Sequence, residues 1–587
     1  MSVDPIVAGL FGHRLHSILA EQQNALVNTA FSAVVRESFD LACAVFDSRG
    51  EMIGQSVGGT PGHINAMATG MHHFVAAYPP EALEPGDVLL TNDPWQTAGQ
   101  INDITVATPV FRNGRLVAWF ASCCHAPDIG GRLVSAEAHE VFEEGLRLPI
   151  LKFLRAGEVN ADLERLIRAN VRTPEETIGD LYAQVTGNEV GAASLLRLLD
   201  ELGLDSLDEV AAEIMDRSER ALRDALRELP DGTYTNEIVT DGFDDEEIVL
   251  RVTATVDGEE IHLDFAGSSP QSRRGINVVL NYTRAYASFA VKAAISPEVP
   301  HNAGSFRPVH VTAPEGSVLN CRPPAPVASR HLIGHFLPSL LIGALPRTAI
   351  APSADALWMT IWRGPGFMLN VFQTGGMGAR AAKDGLSTTG FPSGLRSTPT
   401  EVIETMAPLI QHTRELRVDS GGAGRWRGGL GQVTTMALRG LVSGKAGSNP
   451  PYHSRRAAGL GSGSWSVNGN VDRVRAAASG VDGGQPGMPG RFGLRGGADL
   501  PAKSRVPLAA ASVVDITLPG GGGYGPPSAR PVAAVFADVV EGYVSVAAAR
   551  EVYGVEVRYL GDPDALVRLP EDYAVDEEQT ARLRAGQ

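Results

Sequence analysis

Between Asn92 and Gly131 the chain carries two apolar runs, Ile104 to Phe111 and Arg115 to Ser122, separated by Asn113-Gly114. Asn-Gly between such runs predicts a β-hairpin, because a turn with positive φ at both central positions matches the twist of the flanking strands. A hairpin places the start of its first strand beside the end of its second. Gln100 and Asp103 precede the first strand, and His125 and Asp128 follow the second. These four side chains are therefore expected at one end of the ribbon. Oxygen and imidazole donors converging from a rigid base suit a divalent metal. Three of them have a plainer use as well: Asp103 as a turn cap, Asp128 as a cap of Gly130-Gly131, His125 as a satisfied core ring. Spacing does not choose between them, since no His-x-x-x-His or Cys-x-x-Cys pattern occurs in this stretch.

The chain of 587 residues has room for roughly three or four domains. The expected class is α+β (mixed α/β), multidomain. An N-terminal α/β region with the candidate metal site covers 1–159, a helical block 160–230, a central α/β region 231–410, and a Gly-rich β region 411–587. Residues 4–37 read as one amphipathic helix and Leu41 to Phe46 as a strand. From 160 to 229 apolar residues recur at helical spacing. Residues 233–270 alternate like antiparallel strands. Helices are also expected over Tyr282 to Ile295, Ser329 to Leu345 and Pro531 to Ala549, whereas 441–510 read as loop. With 50 Lys and Arg against 67 Asp and Glu, the net charge is −17. That excludes the electrostatic footprint of a nucleic-acid or anionic-membrane binder. Four cysteines are too few for a disulfide scaffold; Cys123-Cys124 beside His125 read as buried strand residues or, less readily, a nucleophile. There is no signal-peptide pattern and no apolar stretch of membrane-spanning length, so cytoplasm is the expected location.

Several motifs resemble the B-type subunits of the ATP-dependent hydantoinase/5-oxoprolinase family, which also includes ketone carboxylases. They are Asn92-Asp93-Pro94, Gly99-Gln100-Ile101-Asn102-Asp103, His125-Ala126-Pro127-Asp128-Ile129-Gly130-Gly131, Glu144 to Pro149, Pro300 to Pro308, Gly375 to Arg380, the run Asp419 to Gly431, and Pro519 to Gly525. The resemblance implies a metal held at Asp103 and His125, with Gln100 in place of the family's first His, and Asp40 and His63 as further ligands. An amide oxygen is a weaker and harder ligand than imidazole. The ion expected here is therefore held less tightly, differs in kind (Mn or Zn), or is absent. Glu144, Asp128 and Arg307 are the candidate catalytic groups, and Asn302 and Arg380 the candidate substrate-binding groups. The bland alternatives are a surface glutamate at 144, a turn asparagine at 302 and a surface arginine at 307. His331 and His335, at i, i+4, read as packing or as a second metal pair. No P-loop pattern occurs, and the Gly375 to Arg380 run is weak evidence of phosphate binding.

The resemblance implies a hetero-oligomer in which an A-type partner binds ATP and activates a small-molecule substrate. The B-type chain would complete ring-opening hydrolysis of a cyclic amide: a hydantoin, 5-oxoproline or a lactam. The alternatives are a subunit of an ATP-dependent ketone carboxylase, or a metal-free structural subunit.

Overall fold

The computed structural model describes residues 5–346, 350–439, 465–565 and 567–585. It has mixed α/β architecture and divides into two compact units. The first comprises 1–238, 248–347 and 392–398, and the second 239–247, 348–391 and 399–587.

The first unit is built on a seven-stranded sheet. Its strands are β1 (Leu41–Asp47), β2 (Met52–Gln55), β3 (Val88–Thr91), β4 (Asp103–Arg112), β5 (Arg115–His125), β6 (Leu151–Arg155) and β7 (Glu158–Val159). They pair antiparallel in the order β2-β1-β5-β4-β3-β6-β7. β4 and β5 form the expected hairpin, with Asn113 at φ 51° and Gly114 at φ 74°. Its register sets Asp103 directly opposite His125.

Alternate side chains of β1, β4 and β5 enter two cores. Val45, Val110, Val117 and Phe120 meet helices α1 (Pro5–Thr29), α5 (Pro174–Leu202) and α6 (Asp208–Arg227). Phe46, Ala107, Trp119 and Cys123 meet α3 (Pro61–Ala77). Covered on both faces, these strands are apolar almost throughout, which is why they read as continuous runs. Fully burying Phe46 or Phe120 contributes about 1.5–3 kcal/mol each.

The helix expected over 4–37 ends at Thr29 and resumes as α2 (Ala33–Arg36). Asp180 accepts from the backbone N–H groups of Phe31 (2.7 Å) and Ser32 (3.1 Å), and the Ser32 hydroxyl caps the new turn, so the side chains hold the break open. The remaining helices of the block are α4 (Ala161–Asn170) and the long α5, followed by α6. A four-stranded sheet follows, ordered β11-β10-β9-β8, from β8 (Gly232–Asp241), β9 (Glu247–Asp257), β10 (Glu260–Asp264) and β11 (Val309–Thr312). Between its last two strands come α7 (Leu280–Ile295) and the one-turn α8 (Ala303–Phe306). The helix expected over 329–345 is two, α9 (His331–Gly334) and α10 (Phe336–Ala344). Pro338 explains the restart: its ring opposes the carbonyl four residues back, at Gly334.

The second unit is a sandwich of two four-stranded antiparallel sheets. One is ordered β13-β12-β16-β18, from β12 (Leu357–Gly364), β13 (Phe367–Thr374), β16 (Trp465–Asn470) and β18 (Arg505–Leu508). The other is ordered β14-β15-β19-β17, from β14 (Leu409–Leu416), β15 (Gln432–Leu438), β17 (Arg491–Leu494) and β19 (Val513–Thr517). Trp358, Trp362, Trp465 and Phe492 fill the space between them. The loop expected over 441–510 therefore holds three strands after residue 464, while 440–464 lie outside the described residues. The helix expected over 531–549 is two, Val532–Val540 and Val546–Glu551, divided where Gly542 takes φ 73° and Ser545 caps the second.

The glycine-rich signatures are packing devices. The rows around Gly376, Gly422, Gly428, Gly484, Gly487 and Gly521 lie side by side and bond laterally. Gly422 N–H donates to the Gly521 carbonyl (2.8 Å), Gly429 to Met377 (2.8 Å), Gly521 to Gly429 (3.0 Å) and Gly523 to Gln485 (2.9 Å). A Cβ on Gly376, Gly428 or Gly522 would come within about 2 Å of a carbonyl oxygen: 1.9, 2.0 and 1.9 Å respectively. The run Gly375 to Arg380, weak evidence of phosphate binding in the sequence, has its amides engaged in the same way. The N–H groups from Gly376 to Arg380 donate to Pro519, Leu386, the Ser353 hydroxyl, Gly522 and Lys383, and none is left to bind an anion.

Candidate active centre

Five residues singled out in the sequence meet at the open end of the β4–β5 hairpin. Asp103 starts β4 and His125 ends β5, Gln100 sits in the turn before β4, Asp40 precedes β1, and His63 lies in the first turn of α3. None is more than 5% exposed. Asp103 is the hub. Its Oδ1 is 2.8 Å from His125 Nδ1 and 2.8 Å from the Gln100 amide nitrogen. Its Oδ2 is 2.9 Å from His63 Nε2 and also accepts from Arg330. Asp40 stands behind the rings, Oδ1 3.6 Å from His63 Nδ1 and Oδ2 3.9 Å from His125 Nδ1.

Arg330 is the member of this cluster that the motifs did not reveal. It immediately precedes α9, is 2% exposed, donates to the Ala98 carbonyl (2.6 Å) as well as to Asp103, and stacks over Tyr282 at 4.1 Å. The available signal was a charged residue opening an apolar helix, since a buried guanidinium requires an anion. Burial opposes ionisation of Asp103, yet His63 and Arg330 outweigh it and hold the carboxyl well below its ordinary range. Burial likewise works against a charged His63, but the charge and hydrogen bond of Asp103 raise its pKa overall.

Three donor atoms form a triangle: Asp103 Oδ1, His125 Nδ1 and the Gln100 amide, with edges of 2.8, 2.8 and 3.0 Å. With Asp103 held ionised, no arrangement of protons satisfies it. If His125 Nδ1 is protonated, it faces an amide N–H; if not, it faces a carboxylate oxygen. A half-turn of the amide brings Gln100 Oε1, buried and without a partner, into the triangle. Three lone-pair donors then share one point, which is what a divalent cation requires. These residues fit a metal. The His and Asp members alone do not converge as tightly. Among the described residues, the set of three His, Cys, Asp or Glu whose ligand atoms lie within 4.8 Å of one another is Glu260, His262 and His310, at the β10–β11 edge, and there Arg223 already donates to Glu260.

The other candidates are engaged elsewhere. Glu144 is fully buried, not a surface glutamate; its Oε1 accepts from the N–H groups of Val327 (2.6 Å) and Ala328 (2.8 Å), tethering the loop that leads to Arg330. Asp128 accepts from Gly130 N–H (2.9 Å) and from the Arg172 guanidinium (2.8 Å), the contacts of a turn cap. Asn302 caps α8 and donates to Ser218 (2.8 Å), and Arg307 pairs with Asp216 (3.1 Å) and Glu219 (2.8 Å) of α6. Arg380 belongs to the second unit and donates to the Asp384 carbonyl (3.1 Å). His331 and His335 are buried with rings 5.8 Å apart, and His331 Nε2 and His335 Nδ1 have no hydrogen-bond partner. Burial pushes the Cys123 and Cys124 thiols well up, the opposite of an activated nucleophile.

Burial raises the Glu144 carboxyl to about 8, against the pull of its two backbone donors. The folded chain therefore keeps this proton where the unfolded chain has lost it. The stabilisation is complete below about pH 4.5 and is lost as pH rises towards 8, on the order of 1 kcal/mol per pH unit. Glu144→Gln keeps the acceptor and cannot ionise. Its thermal midpoint is expected to fall less steeply than the wild type's between pH 5 and 8; equal slopes would refute the assignment.

The fold and centre define a two-unit α/β protein with a buried His–Asp–Gln cluster at the end of a hairpin. The chain belongs to the hydantoinase B/oxoprolinase family, which it matches over residues 4–527. It is 31% identical to the beta chain of the caprolactamase of Pseudomonas jessenii, over 96% of this chain and 98% of that one. It is 28% identical to a Pseudomonas sp. (strain NS671) protein provisionally named as the B component of a D-/L-hydantoinase, over 94% and 95%. The crystal structure of the ATP-dependent caprolactamase of P. jessenii superposes with a TM-score of 0.85 at 28% identity, covering all of both chains. Acetone carboxylase shares the fold, with a TM-score of 0.84 at 19% identity over 99% of this chain and 83% of that one. No described helix is long and apolar enough to cross a membrane.

Proposed function

We propose that this chain is the B-type subunit of an ATP-dependent enzyme that opens a cyclic amide by hydrolysis, the ATP being bound and used on an A-type partner. The observation that carries this reading is end-to-end likeness to a caprolactamase chain, in sequence and in structure. The absence of a P-loop pattern agrees with ATP being handled by the partner.

Asp103, His125 and Gln100 would hold a divalent cation, with Asp40 and His63 supporting them from behind. When bound, such an ion polarises an amide oxygen and acidifies a water. The chain's own residues do the rest. His63, between Asp40 and Asp103, fixes the Asp103 carboxylate and holds a proton at Nε2. Arg330 balances the buried negative charge and fixes Asp103 Oδ2. Burial of all six groups keeps bulk water from screening them.

The test is turnover of a lactam, a hydantoin and 5-oxoproline by the chain with its partner and ATP, with and without bicarbonate, beside elemental analysis. Ring-opened product independent of bicarbonate is expected, with about one metal per chain, and both fall away in His125→Ala. Bicarbonate-dependent consumption of a ketone with no ring opening would overturn the hydrolase reading in favour of the carboxylase one.

A further inference from the structure

We propose that Glu260, His262 and His310 form a second, peripheral site on the outer face of the β10–β11 edge, which takes a divalent transition metal of the zinc class and clamps the edge strand to its neighbour. It is separate from the buried His–Asp–Gln cluster and does not depend on what that cluster holds.

The strand pairing brings the three side chains together. β10 and β11 run parallel, with His262 directly opposite His310. Residues two apart on a strand share a face, so Glu260 stands beside His262. Ile261, Leu263 and Val311 alternate with them and are buried, which fixes the three polar side chains on the exposed side. Each side chain is half-exposed. One oxygen of Glu260, Oε2, faces both rings: it is 3.1 Å from His310 Nε2 and 4.0 Å from His262 Nε2. The rings stack with centroids 4.5 Å apart, and one ligand atom from each of the three residues lies within 4.8 Å of the others.

The carboxylate is held from behind. Arg223 of α6 donates to Glu260 Oε1 (3.1 Å) and leaves Oε2 to the rings. An outer partner that orients a ligand in this way is a recurrent part of metal sites. The hydrogen bonds of Arg223 and His310 hold the Glu260 carboxyl below its ordinary range, so it is an anion at neutral pH. Arg223 also pairs with Glu219 (2.9 Å) and Glu259 (3.3 Å), so its charge is not directed at the site alone.

The donor set decides the class of ion. Two imidazoles and one carboxylate suit zinc and its neighbours in the transition series, whereas magnesium and calcium require oxygen. Strand β11 has four residues and is paired on one side only. A metal shared by residues of both strands adds a link that the unfolded chain lacks.

The experiment is equilibrium dialysis of the full chain against excess Zn2+, with bound metal measured by elemental analysis, and thermal unfolding with and without Zn2+. Wild type, Glu260→Ala, His262→Ala and His310→Ala are compared, each alone and combined with His125→Ala. A zinc equivalent should persist in His125→Ala and be lost when His262→Ala or His310→Ala is added. Glu260→Ala should weaken it by at least about tenfold. At a hundredfold its Kd, this ion should raise the thermal midpoint of His125→Ala by about 4 °C, and leave the combined variants unmoved. Should His125→Ala fail to fold, the same difference is read in the wild-type background, as one equivalent fewer in His310→Ala. Zinc isotherms unchanged by His262→Ala and His310→Ala would overturn the site, whatever the buried centre binds. Displacement of the zinc by an equal concentration of Mg2+ would overturn the class of ion.

Discussion

Asp103→Ala should destabilise the first unit by about 3–5 kcal/mol, the range for removing one partner of a buried ion pair. Asp103 takes hydrogen bonds from Arg330, His63 and Gln100, and its Oδ1 lies 2.8 Å from His125 Nδ1, with no solvent to replace them. Without the carboxylate, the Arg330 guanidinium keeps its stack on Tyr282 and its bond to the Ala98 carbonyl, but loses its anion. Thermal unfolding followed by circular dichroism should show a midpoint roughly 4–7 °C lower, at about 1.4 °C per kcal/mol for a unit of about 350 residues. A double variant isolates the pair. Arg330→Met with Asp103→Ala should cost clearly less than the sum of the two single changes, because each single change strands the other residue. Additive losses would mean that Asp103 and Arg330 are not coupled. Turnover should be lost in every variant lacking Asp103.

The largest effect on folding is expected at Gly428. An alanine Cβ there would lie 2.0 Å from the Gly521 carbonyl oxygen and 2.7 Å from its carbon. Neither is a flexible side chain that can swing aside. Relief requires the rows to separate by about 1 Å, which would break the lateral bonds of Gly422, Gly429 and Gly521 together. The loss should exceed about 4–5 kcal/mol, the range that marks exceptional single substitutions. Limited proteolysis should then cut the second unit at concentrations that leave the wild type intact. Gly12→Ala is the matched control: its Cβ meets nothing within 4 Å, and alanine gains up to about 1 kcal/mol over glycine in a helix. A Gly428→Ala protein as resistant as the control would show that the rows can yield.

The hairpin was legible because its information is local. Asn113-Gly114 sets the turn, the turn sets the register, and the register puts Asp103 opposite His125. Asp40 and His63 were legible only through family motifs, since nothing in their immediate surroundings says that β1 and α3 begin at the same place. Arg330 lies 227 residues from the carboxylate it pairs with and has no periodic or turn signal of its own. Asn302 and Arg307 carry the residue types of a substrate clamp, yet the contacts they make are a helix cap and an exposed ion pair. Glu144 needed burial to be understood, and burial depends on the 325–330 loop closing over it. The breaks after Thr29 and near His335 depended on side chains from distant segments or on a proline whose effect falls four residues upstream.

By a count of helix and strand, the glycine rows of the second unit are coil. By their bonding they are a lattice, with the amides of Gly376, Gly422, Gly429, Gly521 and Gly523 claimed by neighbouring carbonyls and the α-carbons of Gly376, Gly428 and Gly522 facing other backbone. Rigidity here comes from the absence of side chains, not from repeating dihedral angles. The glycines of these rows have no functional group with which to touch a substrate. The stretch that makes the chain easiest to recognise is therefore silent about what it acts on, and differences in chemistry between relatives have to be sought at positions such as 100, where a side chain can still be exchanged.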